Sequence, residues 1–184
     1  MHNIVQAVRR LCRSHDWHTQ QLDDRRLGLT IQSEHGHWRV ILGWTDNQHL
    51  FICQSISPLS VPEPRRGVVA EFLARVNYGL LAGNFDLDFS DGEVQFRTST
   101  LLHQGRIGPD ELKSLVDFNL SMMNDTLPAL VAVSFGDKSP VEAIDEMEAG
   151  KRNSEAEVPH EEPAALASPH SERLRDLGLP PASN

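Results

Sequence analysis

Between Leu27 and Gln54 the chain alternates between apolar and polar residues almost without interruption. Leu29 and Ile31 alternate with Thr30 and Gln32, and Trp38, Val40, Leu42 and Trp44 alternate with Arg39, Ile41 and Gly43. A period of two places successive side chains on opposite faces of a strand, so this stretch excludes an all-helical fold. A two-residue turn at His35-Gly36 predicts a register that pairs Ser33 with Trp38, Ile31 with Val40 and Leu29 with Leu42. Asp46-Asn47 supplies the next turn, and a third strand, His49 to Gln54, sets Phe51 beside Leu42 and Cys53 beside Val40. The expected unit is a three-strand antiparallel meander.

Helical spacing surrounds it. Ile4, Val8, Leu11 and Cys12 form one stripe over residues 3–15, with Arg9, Arg10 and Arg13 away from it. The segment around Asp16-Trp17 reads as the frayed end of that helix. Pro64 is suited to the start of a second helix, which runs to about Leu81 with Val68, Phe72, Val76 and Leu80 four apart and Gly83 closing it. After Gly108-Pro109 a long pattern begins with Asp110 and Glu111 in the first turn, favourable against the helix dipole, and continues through Met122 and Met123 to Val131. Pro128 should kink or split it, and the Met pair reads as core filler. A last amphipathic piece covers Val141 to Ala149.

The stretch FDLDFSDGEVQFRTST, Phe85 to Thr100, concentrates acids and raises the question of a metal loop. Counting Asp86 as the first position of a calcium loop puts the glycine at the seventh place instead of the sixth, and Arg97 where a bidentate Glu is needed. With Asp91-Gly92 as a turn, Phe89 pairs with Val94, Leu87 with Phe96 and Phe85 with Thr98, while Asp88 meets Gln95 and Asp86 meets Arg97 on the solvated face. The hairpin accounts for every acid.

Composition narrows the function classes. No apolar run approaches the 18 residues a membrane helix needs, and arginines occupy the place where a signal peptide would be apolar, so a cytoplasmic protein is expected. Cys12 and Cys53 are the only cysteines, which argues against both a disulfide framework and a thiolate zinc site. The net charge of −9 is concentrated beyond residue 136, where 11 acids face 5 Lys or Arg. Without a concentrated basic face, nucleic acid is not an expected partner. From about Gly150 the chain is rich in Pro, Ser, Glu and Ala and lacks aromatic residues, a composition expected to be disordered. Leu174, Leu177 and Leu179 are a candidate docking motif within it, set against an incidental occurrence. The expected domains are 1–148 and an acidic Pro-rich tail, 149–184.

Catalytic signatures are absent: the chain has no Gly-rich phosphate loop, no GxSxG, no HExxH and no CxxC. His15 with His18, and His35 with His37, each lack the third ligand a zinc site requires. No cofactor and no metal are expected. An enzyme would have to assemble its site from dispersed residues such as His103, Asp86 and Arg97.

The element order, together with VPEPRRGVVAEFLARVNYGLLAGNFDLDFSDGEVQFRTSTLL from Val61 to Leu102, resembles the YbjN family of bacterial proteins. The matching features are the Pro-rich entry, a helix ending in Asn77-Tyr78, Gly83 before an alternating strand, and Asp91-Gly92-Glu93-Val94 leading to Arg97. The resemblance implies an α+β fold like that of type III secretion chaperones, a twisted antiparallel sheet packed with helices, commonly a homodimer. It further implies a sensory-transduction regulator without catalytic residues. The chain is therefore expected to be non-enzymatic and to act by binding a protein, with a dedicated secretion chaperone of the CesT type as the alternative. The candidate docking residues are Ile41, Leu50 and Ile52, apolar where the meander's second face should be polar. They either pack under another element of the chain or meet a second subunit or a client.

Overall fold

The computed structural model describes residues 2–45 and 49–157, with side chains from residue 4 to residue 150 outside the 46–48 gap. A short strand β1 (His2–Asn3) leads into helix α1 (Ile4–Ser14), followed by β2 (Thr19–Asp23), β3 (Arg26–Ser33), β4 (Gly36–Trp44) and β5 (Leu50–Ile56). A 3-10 turn at Glu63–Arg65 opens helix α2 (Arg66–Gly79); β6 (Asn84–Leu87), β7 (Val94–Leu101), β8 (Arg106–Ile107), α3 (Pro109–Phe135) and α4 (Pro140–Glu157) complete the described chain. The main sheet has six strands in the order β2-β3-β4-β5-β7-β6, all neighbours antiparallel, and β1 pairs separately with β8. The fold is α+β, as expected. The expected meander and hairpin form one sheet because β5 pairs with β7 from Leu50–Leu101 to Ile56–Gln95.

Each hairpin is displaced by two residues from the register read off the sequence. Leu29 lies opposite Val40 and Ile31 opposite Trp38, because the turn residues are Glu34-His35 and Gly36 already belongs to β4. Phe51 lies opposite Trp44 and Cys53 opposite Leu42, across a turn whose Asp46-Asn47 lies outside the described residues. Phe85 lies opposite Phe96 and Leu87 opposite Val94, with a wider loop carrying Phe89 into solvent. A shift of two keeps every side chain on its face, so the apolar pattern cannot detect it.

The core lies between one face of the sheet and the helices. Leu29, Trp38, Val40, Leu42, Phe51, Cys53, Phe85, Val94 and Phe96 face Ile4, Val8 and Leu11 of α1, Val69, Phe72 and Leu73 of α2, and Leu112, Val116, Met123, Leu127 and Leu130 of α3. Met122 and Met123 are buried, in keeping with the core role. Pro128 does not split α3, which is assigned as one 27-residue helix through it. Pro128 sits one position after the buried Leu127 and two before the buried Leu130, so packing on the sheet opposes a break there.

Beyond α3, Ser139 and Glu142 cap α4 reciprocally. The Glu142 N–H donates to Ser139 Oγ (3.3 Å) and the Ser139 N–H to Glu142 Oε2 (3.0 Å). The helix runs past Ala149 to Glu157. The described residues up to Gly150 form one compact unit. Residues 158–184, including Leu174, Leu177 and Leu179, lie outside the described residues.

Candidate functional site: the outer face and open edge of the sheet

The opposite sheet face holds the three candidate residues. Ile41 stands between Gly28 and Gln54, Ile52 between Gly43 and Ser99, and Leu50 opposite Leu101. All three are half-buried, and none belongs to the core cluster that the described helices cover. Each lies between two neighbouring strands, β3 and β5 for Ile41 and β4 and β7 for Leu50 and Ile52, whose side chains shield it from the flanks. Two further leucines extend the patch. Leu22 of β2, 42% exposed, lies over Gly28, and Leu101 of β7 is 80% exposed. The patch was incomplete in the sequence because Leu22 sits in a strand without alternation, and Leu101 shows its neighbour only once β5 and β7 are paired.

Polar groups on this face are engaged with one another. Asp86 meets Arg97 at 3.0 Å and Arg39 meets Glu93 at 4.0 Å. In the loop after β6, Asp88 Oδ1 accepts the Ser90 hydroxyl (2.6 Å) and the Ser90 N–H (2.7 Å), which holds the Asp88 carboxyl below its usual range. Asp91 Oδ1 accepts the Glu93 N–H (2.9 Å). Asp88 and Asp91 therefore shape the turn, while Asp86 and Glu93 pair with arginines on the sheet.

The dispersed residues suggested for an enzyme do not converge. Asp86 and Arg97 are paired on the sheet, whereas His103 lies past the end of β7 in a bridge with Arg106. Arg97 and Leu101 alone are about 13 Å apart along the strand. His15 stacks on Trp17 with ring centroids 4.7 Å apart, and His35 lies 3.4 Å from Glu34 in an exposed turn. Among the described residues no group of three or more His, Cys, Asp or Glu comes together as a metal would need. Cys12 and Cys53 are free and buried; burial pushes the Cys12 thiol up to about 11 and raises Cys53 as well, so neither is a ready nucleophile.

The two edges of the sheet differ. At β6, the Asn77 side chain of α2 bonds the strand as a neighbouring strand would: its Nδ2 donates to the Phe85 carbonyl (2.9 Å) and its Oδ1 accepts the Phe85 N–H (2.8 Å). At the other edge all five residues of β2 are exposed. Grooves run along both sides of β2. On the outer face one of about 520 Å³ is lined by Trp17, His18, Gln20, Leu22, Thr30 and Arg39, among others, with Gly28 in its wall. On the helix side one of about 290 Å³ lies among Arg9, Cys12 and Arg13 of α1, Trp17, Thr19 and Gln21, and Leu27.

The fold just described coincides with a family match over residues 5–132, which takes in α1 through most of α3. The chain belongs to the YbjN family. That family is described as "Putative bacterial sensory transduction regulator". Among solved structures, the chain is similar to "YbjN, a putative transcription regulator from E. coli", with a TM-score of 0.54 and 14% identity over 70% of this chain and 90% of that one. An uncharacterized protein from Methanothermobacter thermautotrophicus is also similar, with a TM-score of 0.48 and 10% identity over 70% of this chain and 97% of that one. No curated protein matches the sequence. The YbjN fold thus covers the sheet and its helices, while its family description names a regulator and no reaction. Among the described residues no helix is long and apolar enough to cross a membrane.

Proposed function

We propose that this YbjN-family chain is a non-enzymatic, chaperone-like regulator that acts in the cytoplasm by binding a protein, a second copy of itself included, on the outer face of its sheet. The observation that carries the reading is the patch of Ile41, Leu50 and Ile52, extended by Leu22 and Leu101, on the face turned away from the helical core. An exposed apolar patch costs solubility, and on a soluble chain it marks a surface that another molecule covers. The family description as a regulator supports a role exercised through binding.

Ile52→Asp tests it. At a half-buried site on an open sheet face, the charge is solvated and the fold survives, whereas a charge at the centre of a protein interface is strongly unfavourable. The variant should keep the wild-type circular dichroism spectrum and lose self-association in sedimentation velocity or capture of its native partner. A folded variant that associates as the wild type does removes this face as the docking surface.

A further inference from the structure

The open edge at β2 carries chemistry that the outer-face patch does not explain. An unpaired strand edge presents N–H and C=O groups to whatever extended chain lies alongside, and natural proteins usually blunt such edges with Lys, Pro, bulges or a covering element. The opposite edge is blunted in this way, through Asn77 on Phe85. β2, Thr-Gln-Gln-Leu-Asp, has neither Lys nor Pro; an irregularity between Gln21 and Asp23, where the Gln21 side chain donates to the Asp23 carbonyl, marks its far end and leaves Thr19 to Gln21 as the open stretch.

A strand added to β2 would direct alternate side chains to the two grooves. On the helix side these side chains meet guanidinium groups. Arg9 donates to Gln21 Oε1 at 3.0 Å, Arg13 lines the same groove beside Trp17 and Thr19, and neither is ion-paired among the described residues. Arg9 and Arg13 are separated by one helical turn, a rise of about 6 Å, close to the roughly 6.7 Å between residues i and i+2 of a strand. On the outer side the alternate side chains meet a mixed lining, in which Trp17 and Leu22 offer apolar contact to β-branched or aliphatic groups beside Asp16, His18, Thr30 and Arg39.

We propose that β2 is the docking edge for an extended acidic segment of a partner protein, in which acidic side chains at i and i+2 face Arg9 and Arg13 and the intervening apolar side chains enter the outer groove. The proposal rests on the protein-binding reading and names the chemistry of the partner. Main-chain hydrogen bonds supply affinity, and the alternation of acid and apolar residues supplies register and selectivity.

The test uses the full chain and a fluorescent peptide of alternating Glu and Val, read by anisotropy. The peptide should bind, and the Arg9→Glu/Arg13→Glu variant should bind it at least about tenfold more weakly, a loss equivalent to 1.4 kcal/mol. Two controls separate strand addition from charge attraction: a peptide N-methylated at alternate residues and a block peptide with all Glu before all Val. Both should bind at least about tenfold more weakly than the alternating peptide. Ile52→Asp should leave peptide binding unchanged even where it abolishes association through the outer face, so the two surfaces fail independently. The edge proposal is overturned by no binding, by equal binding of either control, by indifference to the two arginine reversals, or by loss of binding in Ile52→Asp. A self-associated chain that binds the peptide only on dissociation would assign β2 to a second copy and overturn it too.

Discussion

The Ser55 hydroxyl, on the inner face of β5, donates to Asn119 Oδ1 of α3 at 2.7 Å, with both side chains fully buried. Ser55 Oγ in turn accepts the Trp38 indole N–H at 3.0 Å. The Asn119 amide donates toward the carbonyls of Cys53 and Phe96 and the Thr98 hydroxyl, at 3.1 to 3.2 Å. One asparagine thereby ties α3 to β5 and β7 at one depth in an otherwise apolar core, fixing how the helix slides on the sheet. A satisfied network of this kind specifies a packing, and a partly satisfied one is costly.

Replacing Asn119 should therefore be expensive out of proportion to its size. Asn119→Leu keeps the branching of the side chain but leaves the Ser55 hydroxyl without its acceptor, for an expected loss of about 3 kcal/mol in urea unfolding. Asn119→Asp sets a carboxylate beside two carbonyl oxygens and should be worse at neutral pH. Protonation restores a donor, so the Asp variant should gain stability relative to the Leu variant as pH falls. An Asn119→Leu loss below about 0.5 kcal/mol would mean the network contributes little.

Gly92 in the β6–β7 loop is held against Val61 rather than left free. Its φ is +80°, and a Cβ there would lie 2.2 Å from the Val61 carbonyl oxygen and 2.9 Å from the Val61 nitrogen, both backbone atoms. The Val61 N–H donates to the Gly92 carbonyl at 2.8 Å, fastening the segment before α2 to the loop. Gly92→Ala should cost more than the roughly 1 kcal/mol of left-handed strain alone, because backbone must also move. Gly67→Ala, where a Cβ would meet nothing within 4 Å, serves as the comparison in thermal unfolding.

The sequence made the strands legible wherever one face is buried, and illegible where neither is. β3, β4, β5 and β7 alternate because the core demands it, while β2 is exposed on both faces at the sheet edge and so shows no pattern to read. Its only local signal is the Asp23-Asp24 pair before Arg26, where Asp23 accepts the Arg25 N–H (2.9 Å) and the Arg26 side chain (2.7 Å) to close the turn. Face is set by parity and was readable; partner is set by loop geometry and was not, which is why all three hairpins are displaced by two residues. Ile41, Leu50 and Ile52 could be placed on one face for the same reason, whereas Leu101 required the β5–β7 pairing that no local pattern announces. The helix carrying Ser139 and Glu142 had its start written in the sequence as a Ser-x-x-Glu box, the signal that separates α4 from α3.

The buried cysteines predict an alkaline loss of stability. Burial raises the Cys12 thiol from 9.0 to about 11 and raises Cys53 too, so the folded chain keeps protons that the unfolded chain releases. The contribution is intact below pH 9 and declines by about 1.4 kcal/mol for each pH step of one as the medium passes from 9 to the folded value. Urea unfolding at successive pH values across that window should show a shallower decline for Cys12→Ala than for the wild type, whatever the variant costs at neutral pH. Parallel declines would remove the thiol as the cause. Neither cysteine should react with a thiol reagent at neutral pH until the chain unfolds.

Asn77 tests whether the β6 edge is closed by a single side chain. Its amide occupies both hydrogen-bonding groups of Phe85, at 2.9 and 2.8 Å, and so takes the place of a strand that β6 lacks. Asn77→Ala strips the partner from both groups at once. Phe85 itself is buried against Phe96, with ring centroids 4.6 Å apart, so its backbone cannot turn outward to water without disturbing that contact. The variant should lose about 1–3 kcal/mol, the cost of leaving buried backbone groups unpaired. Hydrogen exchange at the Phe85 amide should quicken by at least about tenfold, as expected for a local opening made easier by 1.4 kcal/mol, while amides in β4 follow only the global change in stability. Asn77→Asp keeps the acceptor and loses the donor, so it should protect the Phe85 N–H better than alanine does while leaving the carbonyl open. Unchanged exchange at Phe85 in the alanine variant would show that the edge is held by the packing of α2 and not by the Asn77 amide.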